Sequence, residues 1–252
     1  MTASNVAPLH HNEPHWQERV DLACAFRWAA RLNMHEAVAN HFSLAVSDDG
    51  PEFLMNPCNM HFSRIKASDL LLLDASDPAT TEGANAPDPT AWDLHGGIHR
   101  RMPEAKCVLH VHSRYATVLA TLKDPRILPI DQNTMRFFDR VAFDDGFDGM
   151  GLGEEAERVC GCFGDKPILV MGNHGVMITG PSVAWAFDEL YYFERACETL
   201  ITAYMTGKDL LVVSDEVARK TMQQWMDYEN GPENHLRELK AILDEEEPSY
   251  RT

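Results

Sequence analysis

Cys107-Val108-Leu109-His110-Val111-His112-Ser113 is the stretch on which the reading of this chain turns. Cys107, Leu109 and Val111 alternate with Val108, His110 and His112, the period of two that sends successive side chains to opposite faces of a strand. His110 and His112 therefore share a face, about 6–7 Å apart at Cα. Two imidazoles fixed side by side on a strand make a pair of metal ligands. Read alone, the pair serves equally well as two hydrogen-bonded core histidines. His174, in Gly172-Asn173-His174-Gly175, adds a third imidazole. Three neutral imidazoles suit Zn²⁺, and also Fe²⁺, Mn²⁺ or Co²⁺. They leave a coordination position open, as catalytic sites do, whereas structural zinc takes four protein ligands.

Working outward from that strand, the pattern predicts a helix after Pro14 with Leu22, Phe26, Ala29 and Ala30 on one face. A hairpin follows, over 41–46 and 52–55, turning at Asp48-Asp49-Gly50-Pro51. Leu70 to Asp74 reads as a short buried strand, and 77–89 as a long exposed loop. Thr90 is placed to cap the next helix, with Asp93 in capping-box position and His95 and His99 on one face. Residues 114–122 read as helix, 141–153 as loop, 154–163 as helix and 167–171 as a buried strand. A long helix opens at Gly180-Pro181-Ser182 and carries Phe187, Leu190, Phe193, Cys197, Leu200 and Tyr204 at helical spacing. Alternating strands and helices give one layered α/β domain over 15–230. Residues 1–14 read as a flexible leader, with His10 and His11 solvated, and 231–252 as an acidic tail.

The balance of 22 Lys+Arg against 39 Asp+Glu leaves a net charge of −17. No basic footprint for a nucleic acid is present. No apolar run of about 18 residues predicts a membrane span, and the N-terminus lacks the charged and apolar regions of a secretion signal. The six cysteines sit mostly in apolar segments and read as reduced thiols of a cytoplasmic protein. Five carboxylates between Asp139 and Glu154 lack the spacing of an EF-hand and read as a solvated turn.

Ala105 to Ser113 together with Gly172-Asn173-His174-Gly175 resembles the class II aldolase/adducin family. Asn40-His41-Phe42-Ser43, Met55-Asn56-Pro57 and Glu194-Arg195-Ala196-Cys197 support the resemblance, which spans about 18–206. It implies a single-domain α/β/α sandwich around a central mixed, largely antiparallel sheet, commonly assembled as a homotetramer. It implies His110, His112 and His174 as ligands of one divalent ion per subunit, zinc before iron, manganese or cobalt. In the family the ion acts as a Lewis acid, so that loss of an aldehyde or of CO₂ leaves a stabilised enolate.

The chain departs from the sugar-phosphate members at Ala91, where they place a carboxylate four residues before the histidine matching His95. The acid/base role then falls to Asp93, His95 or a bound water. Asn40, Asn56 and Arg136 are the candidate substrate-binding residues, Arg136 serving equally well as the partner of a substrate carboxylate or as a member of a surface ion pair. Phe137, Phe138, Trp92 and Met60 line a pocket for an aromatic acid or fill the core. The expectation is a carbon–carbon lyase for a small non-phosphorylated hydroxy, keto or aromatic acid. A non-haem iron oxygenase on the same histidines and a non-catalytic adducin-like scaffold are the alternatives.

Overall fold

The computed structural model describes residues 13–48, 51–83, 86–147 and 155–252. Seven strands form one sheet: β1 (His41–Ala45), β2 (Glu52–Met55), β3 (Leu71–Asp74), β4 (Cys107–Val111), β5 (Val141–Asp144), β6 (Ile168–Met171) and β7 (Gly175–Gly180). Their order is β3-β2-β1-β4-β7-β6-β5. Every neighbouring pair is antiparallel except β5 with β6, so the sheet is mixed and largely antiparallel.

Alternation along β4 divides the core. Cys107, Leu109 and Val111 join Phe42, Leu44, Val176 and Ile178 under α1 (Trp16–Arg31), α3 (Arg114–Ala120), α6 (Val183–Met205) and α8 (Gly231–Glu246). Val108 joins Leu169 and Met177 on the opposite face, packed against Ile98 of α2 (Pro89–Arg101) and Val159 and Phe163 of α5 (Glu155–Phe163). Helices on both faces of one sheet make the α/β/α sandwich. His110 follows the parity of Val108 and so emerges on the thinner, two-helix side.

Several expectations need correction. Asp88, not Thr90, caps α2: its carboxylate accepts from the Thr90 and Ala91 amides at 2.9 and 3.4 Å, with Pro89 at the first helical position. Leu71–Asp74 is an edge strand with Leu72 exposed, not a buried one. The expected loop from 141 begins as β5, made a strand by its pairing with β6. The carboxylates Asp139 and Asp144 are separately paired, with Arg219 at 3.0 Å and with Arg158 at 2.5 Å. The acidic end of 231–252, expected as a solvated cap, is paired with α1, and the segment as a whole is packed. It folds as α8 and a short 3-10 turn, Pro248–Arg251, that buries Tyr250 completely. Glu246 and Glu247 pair with Arg31 of α1 at 2.7 and 3.1 Å, and Glu247 also pairs with Arg27. His10, His11 and the glycine-rich end of the 141–153 stretch lie outside the described residues. α7 (Asp215–Met226) packs on α4 (Gln132–Arg136).

Candidate metal centre

The three histidines of the sequence motif converge. His110 lies in β4 opposite His41 of β1 and Met177 of β7. His112 follows one residue past the end of β4, and His174 sits in the β6–β7 turn. Asn173 makes that turn with a left-handed φ of 55°, a conformation asparagine tolerates. Gly175 lets the turn close: a Cβ there would meet the Val111 carbonyl at 2.5 Å and His112 Cδ2 at 2.9 Å. Beyond His112, the buried Glu194 of α6 accepts from the Ser113 hydroxyl at 2.6 Å and from the Tyr115 and Ala116 amides at 2.8 and 3.0 Å. That carboxylate fixes the chain where it leaves the strand.

One ring nitrogen from each histidine lies within 4.8 Å of the other two. His110 Nε2 and His112 Nε2 are 3.0 Å apart. Two tetrahedral ligands at zinc–nitrogen distance would be separated by about 3.3 Å, so the pair already stands near chelating distance. His110 Nδ1 donates to the Val176 carbonyl at 3.2 Å, leaving the Nε2 lone pair free for a cation; such an outer partner typically orients a metal-binding imidazole. Burial lowers the pKa of His110 well below the usual value and that of His112 to about 4. Neutral imidazole is the ligand form. His112 and His174 are half-exposed, so the cluster opens to solvent on one side. Asn40 Oδ1 accepts from the Glu36 amide at 2.7 Å and the His112 amide at 3.3 Å. Its Nδ2 is buried without a partner, a donor beside the cluster that a ligand would satisfy. Donor set, tautomer and orphaned amide all fit a nitrogen-preferring divalent ion.

Two further groups, His41 and Ser43, link the site to His95 and His99, and the sequence patterns did not single these two out as site residues. His41 stacks on His110, ring centroids 4.8 Å apart and planes at 29°. His41 Nδ1 meets His95 Nε2 at 2.7 Å, His95 Nδ1 meets Ser43 Oγ at 2.5 Å, Ser43 Oγ meets His99 Nε2 at 2.7 Å, and His99 Nδ1 meets the Ala105 carbonyl at 3.2 Å. The signal was present in parity: His41 and Ser43 alternate with Phe42 and Leu44, so they face α2, where His95 and His99 share a face. Burial pushes His41 down to about 3, countered by the Asp88 carboxylate, and holds His99 near 4 and His95 well below its usual value. Asp88, one helical turn before Ala91, is thus a carboxylate acting on the site.

The other expected residues separate. His95 reaches the site through His41. Asp93, two positions earlier on α2, acts instead on Cys160 of α5. Asn56 takes a bracing role: its Oδ1 accepts from the Phe42 amide at 3.1 Å and its Nδ2 donates to the Asn40 carbonyl at 3.4 Å. Arg136 is buried elsewhere. Its Nη2 binds Asp188 at 2.7 Å and Glu189 at 3.1 Å, and its guanidinium lies over the Tyr192 and Trp225 rings. Phe137 packs in the core against Phe193, and Trp92 donates to the Asp74 carbonyl.

A mixed sheet carrying three convergent imidazoles, open on one side, makes a cluster that could hold one metal ion in an α/β/α protein. The chain belongs to the class II aldolase and adducin family, whose Class II Aldolase and Adducin N-terminal domain profile matches residues 20–201. The crystal structure of an aldolase II superfamily protein from Pseudomonas syringae superposes with a TM-score of 0.85 at 30% identity, covering 98% of each chain. A protein of Caulobacter vibrioides named for the class 2 aldolases is 28% identical, over 95% of this chain and 93% of its own. Decarboxylase NovR of Streptomyces niveus is 28% identical, over 80% of this chain and 75% of its own.

Proposed function

We propose that the protein is a divalent-metal-dependent carbon–carbon lyase for a small, non-phosphorylated hydroxy, keto or aromatic acid. The convergence of His110, His112 and His174 around an open position carries this reading. The ion, zinc first given the all-nitrogen donors, supplies Lewis-acid stabilisation of negative charge developing on substrate oxygens. His110 and His112 hold it from the strand, and His174 from the turn. Asn40 Nδ2 donates to a substrate oxygen. Besides desolvation, the groups acting on His41, His110 and His112 are other imidazoles and the Asp88 carboxylate. Cleavage that loses CO₂ fits the similarity to a protein named as a decarboxylase.

We further place the protein in the cytoplasm as a homotetramer. Six free cysteines support the compartment, and no helix among the described residues is long and apolar enough to cross a membrane. Met205 and Leu211, 81% and 88% exposed at the end of α6 and just beyond, support burial against another copy.

The test is metal analysis and turnover on protein purified without added metal. Stoichiometric zinc and loss of activity with chelator are expected. His110→Ala should remain folded and lose activity by at least about 10²–10³, the scale of removing a charge-stabilising group. Retained activity in His110→Ala refutes the reading. A chain that binds no metal points to a scaffold, and oxygen uptake with Fe²⁺ and an aromatic acid points to oxygenation.

A further inference from the structure

We propose that His41 is the specificity-determining residue of this site: it offers an unprotonated Nε2 to the substrate, and the buried chain His95–Ser43–His99 fixes it in that tautomer, so the site selects a hydroxy acid over the matching keto acid. The inference rests on the lyase reading above and names its substrate class.

The polarity of the chain is dictated from its far end. The Ala105 carbonyl can only accept, so His99 Nδ1 donates to it. A neutral His99 then has a bare Nε2, which must receive the single hydroxyl proton of Ser43. With that proton committed, Ser43 Oγ can only accept from His95 Nδ1. His95 Nε2 is therefore bare and accepts from His41 Nδ1. His41 is left with its proton on Nδ1 and a lone pair on Nε2. Reversing any one link would set two lone pairs or two protons against each other at 2.5–2.7 Å. Ser43, His95 and His99 are buried at 0–1% exposure, so water does not relieve such a clash. No described residue satisfies His41 Nε2, and the ring lies against His110.

Two complementary groups near the cluster are thus left for a ligand: an acceptor on His41, whose ring lies against His110, and the orphaned donor Nδ2 of Asn40, whose Oδ1 accepts from the His112 amide. A hydroxyl beside a carboxylate matches both. A keto oxygen at the hydroxyl position would face the His41 lone pair and leave it unpaired. A site built to pair with a hydroxyl discriminates strongly against the analogue lacking it.

The test has two arms on the full-length chain. In the first, ¹⁵N-histidine-labelled protein without metal is examined by long-range ¹H–¹⁵N correlation, with His41→Asn for assignment. His41, His95 and His99 should all show Nδ1 protonated, and Ser43→Ala should scramble His41 and His95. A proton on His41 Nε2 overturns the proposal. In the second, the zinc-loaded chain is titrated with lactate against pyruvate and with mandelate against benzoylformate. The hydroxy acids should bind at least tenfold tighter. His99→Phe, which removes the anchor, should erase most of that preference, and His99→Gln, which keeps one donor and one acceptor, should restore it. Failure of the hydroxy acids to bind, or the same preference in His99→Phe as in the parent, overturns the proposal. A zinc titration of the same sample reports separately on the lyase reading: a chain that takes up no zinc ends that reading and leaves the tautomer result standing.

Discussion

Two buried polar clusters sit in this molecule, and they are built on opposite principles. Around Arg136, charges close on one another: Asp188 and Glu189 bind its guanidinium, Arg140 shares Glu189 at 3.1 Å, and His235 Nδ1 meets Asp188 at 2.7 Å. Around His110, burial lowers the pKa of His41, His95, His99, His110 and His112, and the network is left open, with an unpaired lone pair on one side and an unpaired amide on the other. Closed networks hold structure together, because breaking one leaves a charge stranded in low dielectric. Open ones await a ligand, because an unsatisfied buried group is tolerated only where something else fills it.

The sharpest way to break the comparison is Arg136→Met. If the cluster is structural, the substitution leaves Asp188 with only His235 and Glu189 with only Arg140, and it lowers stability by up to roughly 3–5 kcal/mol. Chemical denaturation should show that loss, while zinc affinity of the folded fraction stays at the parental value. If Arg136 were the partner of a substrate carboxylate, KM would rise with an unchanged unfolding midpoint. The second outcome would reverse the assignment drawn from its ion pairs.

Gly175→Ala attacks the open cluster through backbone alone. A methyl group placed 2.5 Å from the Val111 carbonyl and 2.9 Å from the His112 ring must push β7 from β4. The expected cost is about 1–3 kcal/mol in stability, as for overpacking elsewhere. Zinc affinity should fall about 10- to 100-fold, the range seen when groups that orient ligands are removed. Calorimetric titration with zinc measures it. Unchanged affinity would mean that the His112–His174 spacing does not depend on how closely the two strands approach.

The order of these effects also shows which parts were legible in the sequence. The strand carrying His110 and His112 announces itself by parity, and so does its third partner, because glycines flank it. The sheet and sandwich follow from elements whose periods are unambiguous. Asp88 as cap and β5 as strand were hidden, one because Thr90 mimics a capping box and the other because a four-residue strand takes its identity from β6. For Arg136 the sequence leaves open the choice between a substrate carboxylate and an ion pair, because it shows a charge and not its partners; Asp188 and Glu189 lie more than fifty positions away. His41 was overlooked for the same reason. Its importance comes from the cross-strand pairing with His110 and from α2 bringing His95 over it.

Asn40→Asp gives the smallest effect and the finest discrimination between the two clusters. Aspartate keeps the oxygen that accepts from the Glu36 and His112 amides and replaces the unpaired Nδ2 donor with an acceptor. The fold keeps both accepted hydrogen bonds, which partly offset the burial of a carboxylate at this position, so the loss of stability should be smaller than that of Arg136→Met. A substrate oxygen that had received the amide hydrogen now faces an oxygen. One lost hydrogen bond corresponds to about 1 kcal/mol, and repulsion between oxygens adds to it, so KM should rise about tenfold with little change in zinc affinity. An equal substitution at the charged atoms of the closed cluster cannot behave this way, since Arg136 Nη2 and the Asp188 and Glu189 oxygens each have a partner to abandon, and among the described residues there only Arg136 Nε is unpaired. If Asn40→Asp instead lowers stability as much as Arg136→Met does, the amide belongs to the scaffold, and the open side of the histidine cluster has lost its donor.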